Sequence, residues 1–312
     1  MMTMLRQLLI AYLLLFSSII DAKSYNGFDL SNSVIDKKLI VQGGPPRDSI
    51  PSINQPKYVS VAEAGFMKRD DIVLGIKIGN KAFAYPRHIL NWHEIVNDQF
   101  DSTPFVITYC PLCGSGLAFS SKVKDQHLKF GVSGLLYNND LVFYDQETES
   151  LWSQIEKRAI SGQFVGVELK QLLLEHTTWE AWEKANPATV VLSDDQGFKR
   201  NYRHDPYTGY DTSSQVFFKT LRQAPKDFHS KEKVLGITIN GEAKAYPFSE
   251  LNKFAKASFQ DKLAGTAYTV HWNAAAQSAT LTAQQGETLT PTVAFWFAWY
   301  NFHPEAAIFR AE

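Results

Sequence analysis

The stretch Val234-Leu-Gly-Ile-Thr-Ile-Asn-Gly-Glu-Ala-Lys-Ala-Tyr-Pro247 repeats an earlier one, Val73-Leu-Gly-Ile-Lys-Ile-Gly-Asn-Lys-Ala-Phe-Ala-Tyr-Pro86. Without a gap, residues 73–91 match residues 234–252 at eleven of nineteen positions, each pair 161 positions apart. Each copy alternates apolar and polar residues around a Gly-Asn or Asn-Gly pair, which is typical of a β-hairpin. The proline and the apolar spacing that follow favour a short helix. The duplication predicts an α+β, predominantly β protein with two pseudo-symmetric halves, each a hairpin plus a short helix plus further strands, sharing one compact body.

Beyond the helix, the same offset predicts another pair of equivalent strands, residues 105–109 and 266–270. It also places Cys110 on His271 and sets an alanine opposite Cys113, so the second copy lacks both thiols. A site kept by one half of a duplication is the expectation. The alternative is that the ungapped alignment fails beyond the helix.

The first residues are typical of a secretory signal peptide. Arg6 supplies the positive charge, residues 8–20 form the apolar region, and Ala22 provides a small residue for cleavage. We therefore expect a periplasmic or secreted protein whose mature chain has no membrane span. An uncleaved N-terminal anchor is the alternative.

The chain is predicted to divide into four segments. They are the signal peptide at 1–22, an extended N-terminal arm rich in Gly and Pro at 23–65, a first repeat half with a β-meander at 66–200, and a second repeat half without cysteines at 201–312. The predicted strands of the meander lie at 127–132, 141–144, 151–154 and 164–169. A capping-box pattern at Thr177-Thr178-Trp179-Glu180 predicts a helix that ends before Pro187.

Composition excludes several classes of protein. A hydrophobic content of 45% can supply a substantial core, and the formal net charge of -1 offers no basic surface for nucleic acid. Three of the four methionines lie in the predicted signal peptide, which leaves Met67 alone. A methionine-rich copper carrier is therefore disfavoured, because the soft thioether ligands are missing.

Cys110 and Cys113 are the only cysteines, and their spacing permits three chemistries. A dithiol can cycle with an intramolecular disulfide, one thiolate attacking and the other resolving the mixed disulfide. Both sulfurs can instead hold one metal ion, with further ligands from elsewhere. A static disulfide is the third possibility, although closing so short a loop gains only about 2 kcal/mol in the chain-entropy estimate.

A zinc or copper site would need one or two histidines beside Cys110 and Cys113. His271 and His303 are the favoured candidates, His271 only because the repeat offset sets it opposite Cys110. The further candidates are His88 and His93.

Four blocks of sequence resemble a known family. They are Thr108-Tyr-Cys-Pro-Leu-Cys-Gly-Ser-Gly-Leu-Ala-Phe119, Gly134-Leu-Leu-Tyr-Asn-Asn-Asp-Leu-Val-Phe-Tyr-Asp145, Ser150-Leu-Trp-Ser-Gln154 and Phe297-Ala-Trp-Tyr-Asn-Phe-His-Pro304. Together they are similar to domain of unknown function family 3179, an uncharacterised family of exported prokaryotic proteins. The resemblance implies that some members carry selenocysteine in the Cys-x-x-Cys region, which favours redox chemistry. It points to Cys110 and Cys113, with Trp152 and His303 in blocks of unassigned role.

Three hypotheses follow for the function. The first is thiol redox chemistry, with a disulfide or a peroxide, at Cys110 and Cys113; it needs no cofactor and has an unknown redox or protein partner. The second is a zinc or copper binding protein that uses the two thiolates plus histidine. The third is a non-catalytic interaction module with a structural disulfide, whose aromatic C-terminal residues around Trp299 dock a partner.

Overall fold

The computed structural model describes residues 25–284 and 289–312. The predicted signal peptide and its cleavage site after Ala22 lie outside these residues. None of the described helices is long and apolar enough to cross a membrane.

The described chain is mostly β-structure with four short α-helices, which confirms the predicted fold class. The first part contains β1 Ile40–Gln42, β2 Tyr58–Ser60, β3 Ile72–Ile78, β4 Lys81–Pro86, α1 Arg87–His93, β5 Ile95–Phe100, β6 Thr103–Cys110 and β7 Ser115–Ser120. An inserted stretch contains β8 Lys122–Val123, β9 Gln126–His127, β10 Phe130–Tyr137, β11 Asp140–Asp145, β12 Leu151–Ser153, β13 Arg158–Ser161 and β14 Gln171–Leu172. The first half then closes with β15 Leu174–Thr178, α2 Trp179–Ala185 and β16 Val190–Leu192.

The second half repeats this order without the insertion. It contains β17 Lys233–Ile239, β18 Glu242–Pro247, α3 Phe248–Phe254, β19 Ser258–Leu263, β20 Thr266–Asn273, β21 Ser278–Ala283, β22 Thr292–Phe295, α4 Trp296–Phe302 and β23 Ala307–Ile308. Two 3-10 turns, Lys37–Leu39 and Val61–Glu63, precede the first half. The arm before β3 is otherwise irregular, as the sequence predicts.

Both predicted hairpins form, and they have the same register. Val73 lies opposite Pro86 in the first hairpin, and Val234 lies opposite Pro247 in the second. The second turn uses Asn240 and Gly241, both at positive φ, which is the backbone that a two-residue hairpin turn requires.

Beyond the helices, the strand registers correct the sequence alignment. In the pairing of β5 with β6, the first residue of β5, Ile95, lies opposite Thr108. In the pairing of β19 with β20, the first residue of β19, Ser258, lies opposite His271. His271 is therefore equivalent to Thr108, and the residue equivalent to Cys110 is Asn273. The ungapped placement was wrong by two positions, because the second half has two more residues between its helix and its next strand.

The inserted stretch forms the predicted meander with one difference. Strands β10 to β13 make a sheet of order β1-β10-β11-β12-β13, so the N-terminal arm supplies its edge. The fourth strand is β13 and not the predicted segment 164–169. Gly162, at positive φ, ends β13, and Phe164 then enters the core from a loop.

Each half closes with a strand, a helix that carries two tryptophans, and a strand that runs parallel to its hairpin. Trp182 of α2 packs on Gly75, and Trp299 of α4 packs on Gly236; a Cβ on either glycine would overlap the indole ring. The predicted helix forms and ends at Ala185, before Pro187, but it starts one residue later than the capping-box pattern implies: the cap is Thr178, whose side chain accepts a hydrogen bond from the Ala181 amide, and not Thr177.

The aromatic residues around Trp299 belong to the core. The prediction that they dock a partner is therefore wrong. Trp296, Phe297 and Trp299 are all buried. Trp299 is enclosed against Gly236 of β17 because α4 covers that strand.

The two halves share one large sheet of order β23-β18-β17-β22-β7-β6-β5, in which β22 of the second half pairs with β7 of the first. In return, β15 of the first half lies against β21 of the second, where the Ser278 hydroxyl donates to Glu175 at 3.0 Å. These contacts place the first residues of β7, and with them the cysteine turn, at the junction of the halves. The pseudo-symmetric placement of the halves and the predicted segment boundaries stay predictions.

Candidate functional site

The two cysteines lie on a tight turn between two central strands. Cys110 ends β6, Ser115 begins β7, and the Cys113 amide donates to the Cys110 carbonyl at 3.2 Å. Gly114 completes the turn at φ +59, and the ring of Phe295 leaves no room for a Cβ at that position. The Phe295 amide also donates to the Cys113 carbonyl at 2.7 Å, so strand β22 fixes the turn from the second half.

Both cysteines are free thiols and both are buried, Cys113 completely and Cys110 with 2% of its surface exposed. A third group, the carboxyl group of Asp140 at the start of β11, joins them. One potential ligand atom from each of these three residues lies within 4.8 Å of the other two. The structure therefore brings together two thiols and one carboxyl group, all inside the protein.

A chain of hydrogen bonds orients the carboxyl group. The Ile155 amide donates to one oxygen of Asp140 at 3.0 Å, and the Ser115 hydroxyl lies 3.2 Å from the other. The Ser115 hydroxyl is also 2.7 Å from the side-chain carbonyl of Gln154, whose amide group donates to Thr108 at 2.9 Å. Ser115 and Gln154 thus link the Asp140 carboxyl group to Thr108 of β6, which gives this buried group the hydrogen bonds that it needs.

Burial disfavours the charged form of all three groups. It raises the pKa of Asp140 to about 7, although the bonds from Ile155 and Ser115 act in the opposite direction. It also raises the pKa of the Cys110 thiol, and that of the Cys113 thiol further. At neutral pH the pair is therefore a neutral dithiol beside a carboxyl group that is near half ionisation.

Cys110 and Cys113 differ in their neighbours. The Cys113 thiol lies beside Cys110 and the Asp140 carboxyl group, and both neighbours add to the effect of burial in raising its pKa. For Cys110, the neighbouring Cys113 thiol acts against burial and favours a lower pKa. Its sulfur also lies 3.6 Å from the Asn139 carbonyl. Of the two thiols, Cys110 is the more easily ionised.

A further buried acid lies close to the turn. Burial raises the pKa of Glu94 to about 8, and its charge in turn disfavours the thiolate of Cys110. Its backbone carbonyl accepts from the Tyr109 amide at 2.7 Å, which ties the end of α1 to the strand that carries Cys110.

The segment that joins the halves covers the site. The Tyr210 hydroxyl donates to the Leu112 carbonyl at 3.1 Å. The Phe218 amide donates at 3.1 Å to the side chain of Asn139, which also donates to the Phe218 carbonyl. Residues 201–232 therefore hold both sides of the cysteine turn and close it from solvent.

The predicted histidine ligands lie elsewhere. His271 is exposed on β20, with its ring 3.1 Å from the Thr282 hydroxyl. His303 stacks on Trp299 with ring centroids 4.1 Å apart, and burial lowers its pKa to about 4. Among the described residues, the group that contains the cysteines includes Asp140 and neither of these histidines.

The other two candidate histidines, His93 and His88, also contact residues away from the cysteines. Both ring nitrogens of His93 are bonded, one to the Pro51 carbonyl at 2.7 Å and one to the Tyr202 hydroxyl at 2.6 Å. His88 packs edge-on against Phe66, with ring centroids 6.3 Å apart.

Trp152, whose block had no assigned role, is a core residue. Its indole N–H donates to the Asp145 carboxylate at 2.9 Å, and its ring packs between Phe130 and Phe164. This tryptophan shapes the apolar wall of the cluster that contains the cysteines.

Sequence reasoning missed Asp140, Ser115 and Gln154. The sequence Asn138-Asn139-Asp140 predicts a turn between strands, and nothing in it shows that the side chain of its last residue lies beside the two sulfurs. The available signal was a single acidic residue directly before an apolar strand, since such a residue is buried together with the strand it begins.

A comparison with family models now adds to this geometry. The model described as Protein of unknown function (DUF3179) matches residues 47–290, most of the chain. The chain belongs to this family. The predicted family resemblance is confirmed, and the matched range contains Cys110, Cys113 and Asp140. No curated protein and no solved structure matches the chain.

Proposed function

We propose that the protein is an exported thiol redox protein in which Cys110 and Cys113 cycle between dithiol and disulfide. The observation that supports this proposal is the buried Asp140 carboxyl group within 4.8 Å of both sulfurs, with a pKa of about 7. A proton acceptor works best when its pKa lies near the working pH, and this carboxyl group meets that condition.

The surroundings assign different roles to the two thiols. Cys110 is the attacking thiol, because the neighbouring Cys113 favours its thiolate and because it retains a little exposure. Cys113 is the resolving thiol, because it is completely buried within 4.8 Å of the Asp140 carboxyl group. Asp140 takes the Cys113 proton when the thiolate is needed.

With a disulfide as oxidant, the reaction has two balanced steps. The Cys110 thiolate attacks one sulfur of the oxidant, forms a mixed disulfide and releases the other sulfur as a thiolate, which takes up the proton that Cys110 gave up. Cys113 then loses its proton to Asp140, attacks the Cys110 sulfur and displaces the second thiolate, which accepts a proton in turn. Two protein thiols are oxidised and one disulfide is reduced to two thiols.

With a peroxide as oxidant, the first product differs. Cys110 attacks one peroxide oxygen and becomes a sulfenic acid, and water leaves when the oxidant is hydrogen peroxide. The Cys113 thiolate then displaces hydroxide from that sulfur, and the hydroxide leaves as a second water with the proton from Asp140. Both routes end in the same Cys110–Cys113 disulfide.

The test is a redox titration of the full mature chain with counting of free thiols. We expect reversible two-electron behaviour that is lost in Cys110→Ser and in Cys113→Ser. Asp140→Asn should slow disulfide formation roughly 100- to 10,000-fold and remove its pH dependence near pH 7. The matched control is Asp98→Asn, which removes a half-buried carboxyl group that is bonded to Tyr58 and Tyr85 and not to the cysteines.

Two results would contradict the proposal. A reduction potential well below about -300 mV, with no response to small disulfides or peroxide, would identify a structural disulfide. An Asp140→Asn rate and pH profile equal to those of Asp98→Asn would remove the carboxyl group from the mechanism.

The group of three ligand atoms also favours a second candidate, a zinc site. Two thiolates and one carboxylate are a suitable three-ligand set for Zn²⁺, with a fourth position left for water or substrate, and the carboxylate makes the set less suitable for Cu(I). Metal binding would also require Cys110, Cys113 and Asp140 to lose their protons, so affinity would rise with pH. Metal analysis of protein purified without chelator, repeated on Asp140→Asn, decides this candidate. Metal-free protein whose melting temperature ignores added zinc would exclude it.

A further inference from the structure

A small pocket lies on the other side of the cysteine turn, where the two halves meet. Its enclosed volume is about 20 Å³, and the volume that includes the space open to solvent is about 380 Å³. Its polar side chains are those of Arg87, Tyr109, His176, Lys233 and Gln277, and the rings of Phe248 and Phe295 line it as well. No Asp or Glu lines it.

The pocket combines equivalent positions of the two halves with opposite character. Lys233 of β17 occupies the position of Ile72 of β3, and each directly precedes the matched hairpin sequence. Arg87 begins α1, where Phe248 begins α3. All four residues line the pocket, so each half contributes one basic and one apolar side chain. The two positive charges therefore face the same space from different halves.

Neither positive charge is neutralised by the described residues. Within the ranges 25–284 and 289–312, Arg87 and Lys233 form no ion pair and their side chains form no hydrogen bond. Asp211 and Glu232 attract Lys233 from beyond ion-pair distance. The carboxylate of Glu232 already accepts from the amide of Ser249 at 2.7 Å.

Two further polar groups of the pocket add no negative charge: the hydroxyl group of Tyr109 and the ring of His176. In the described part of the chain, the hydroxyl group of the buried Tyr109 has no hydrogen-bond partner. The ring of His176 is bonded to the Gly116 carbonyl at 3.1 Å, and burial lowers the pKa of this histidine to about 4, so it is neutral. The pocket thus offers strong donors and two positive charges, and none of its lining side chains carries a negative charge to match them.

Two like charges in a confined space destabilise each other. Burial lowers the pKa of Lys233, and the charge of Arg87 lowers it further. An anion between the two side chains would remove this repulsion and accept several charge-assisted hydrogen bonds. Guanidinium groups suit oxygens that are arranged in pairs, as in phosphate, sulfate and carboxylate.

We propose that this pocket binds a small anion of the oxyanion or carboxylate class, held by Arg87, Lys233 and the hydroxyl group of Tyr109. The site is separate from the thiol chemistry. Tyr109 and Cys110 are neighbours on β6, and neighbouring side chains of a strand point to opposite faces. Cys110 packs in the cluster around Trp152, whereas Tyr109 packs in a different one.

The test is calorimetric titration of the full mature chain with inorganic phosphate, sulfate and acetate, each at constant ionic strength in a chloride background. We expect saturable binding of one anion per chain by at least one of these probes. Lys233→Met and Arg87→Met should each weaken that binding at least tenfold. Lys77→Met, which removes an exposed lysine from β3, is the matched control and should bind like the wild type.

Melting curves distinguish loss of the site from loss of the fold. Without added oxyanion, Lys233→Met should melt no lower than the wild type, because it replaces an unpaired, partly buried charge with an apolar chain of similar length. The phosphate-induced rise in melting temperature should be lost in Lys233→Met and, independently, in Arg87→Met. Absence of saturable binding by the wild type, equal binding by the two variants, or equal stabilisation by chloride alone would overturn the proposal.

Discussion

Asp140 is the residue on which the chemistry of the cysteine turn depends. It lies in the interior with its two oxygens held by Ile155 and Ser115, so its position is fixed while its proton is exchangeable. A carboxyl group in such a place costs stability when it ionises. The same property that suits it to take a proton from Cys113 therefore leaves a signature in the folding equilibrium.

The signature is a loss of stability as pH rises. The pKa of Asp140 is raised by burial from 3.8 to about 7, so the protonated folded form is favoured at low pH and this contribution is lost between about pH 4 and pH 7. The full effect is on the order of 4 kcal/mol. We expect the free energy of unfolding of Asp140→Asn, measured with urea, to fall less over this range than that of the wild type. Parallel curves would show that the carboxyl group is ionised in the folded protein at all these pH values.

Glu94 also contributes to the pH dependence of the free energy of unfolding. Burial raises its pKa to about 8, so its contribution acts in the same direction and extends to higher pH. Asp140→Asn should therefore retain the part of the pH dependence that Glu94 contributes, and Asp140→Asn combined with Glu94→Gln should lose the contributions of both acids.

At this scale the sequence predicts the thiols and misses their partner. Cys110 and Cys113 are evident because they are alone and closely spaced. Asp140 comes from an inserted meander, and no local pattern shows which distant strand will pass over a turn. His271 was a poor choice for a related reason, since two extra residues after α3 shift every later position of the repeat.

At the scale of the elements, the hairpin of each half packs closely against its covering helix at one glycine. Gly75 and Gly236 leave the space that Trp182 and Trp299 fill. Alanine at either position would force an indole ring away from a strand in a packed interior. We expect Gly75→Ala and Gly236→Ala each to lower the free energy of unfolding by roughly 1–3 kcal/mol, measured with denaturant. Gly65→Ala is the control, because a Cβ at Gly65 meets open space, and it should be nearly neutral.

The elements that the repeat contains were the most predictable. Alternation over β3, β4, β17 and β18 and the turn residues between them give the hairpins directly. The exception is segment 164–169, which has the composition of a strand but forms only an isolated bridge, from Glu168 to Arg158 of β13. Its apolar residues are explained by burial of Phe164 against Trp152, and burial alone does not distinguish a strand from a packed loop.

For the whole molecule, the important feature is that the halves contact each other at two pairs of strands. Strand β22 pairs with β7, and β15 lies against β21, where Ser278 bonds to Glu175. The repeat pattern predicts two similar halves, but it carries no information about these contacts, because they join residues far apart in sequence. The cysteine turn and the basic pocket both lie where the halves meet, on opposite sides of the β6–β7 connection.

Because the two halves share a sheet, we expect them to unfold as one cooperative unit. Amide hydrogen exchange can test this expectation. In Gly236→Ala the lesion lies in β17 of the second half, but β5, β6 and β7 belong to the same sheet. A loss of 1–3 kcal/mol should therefore speed the slowest amides of β6 and of β17 by the same factor, roughly 10- to 100-fold. The reciprocal variant, Gly75→Ala, should give the same uniform change. Faster exchange confined to the mutated half would mean that the halves unfold separately, and the shared sheet would then be a contact between two independent domains.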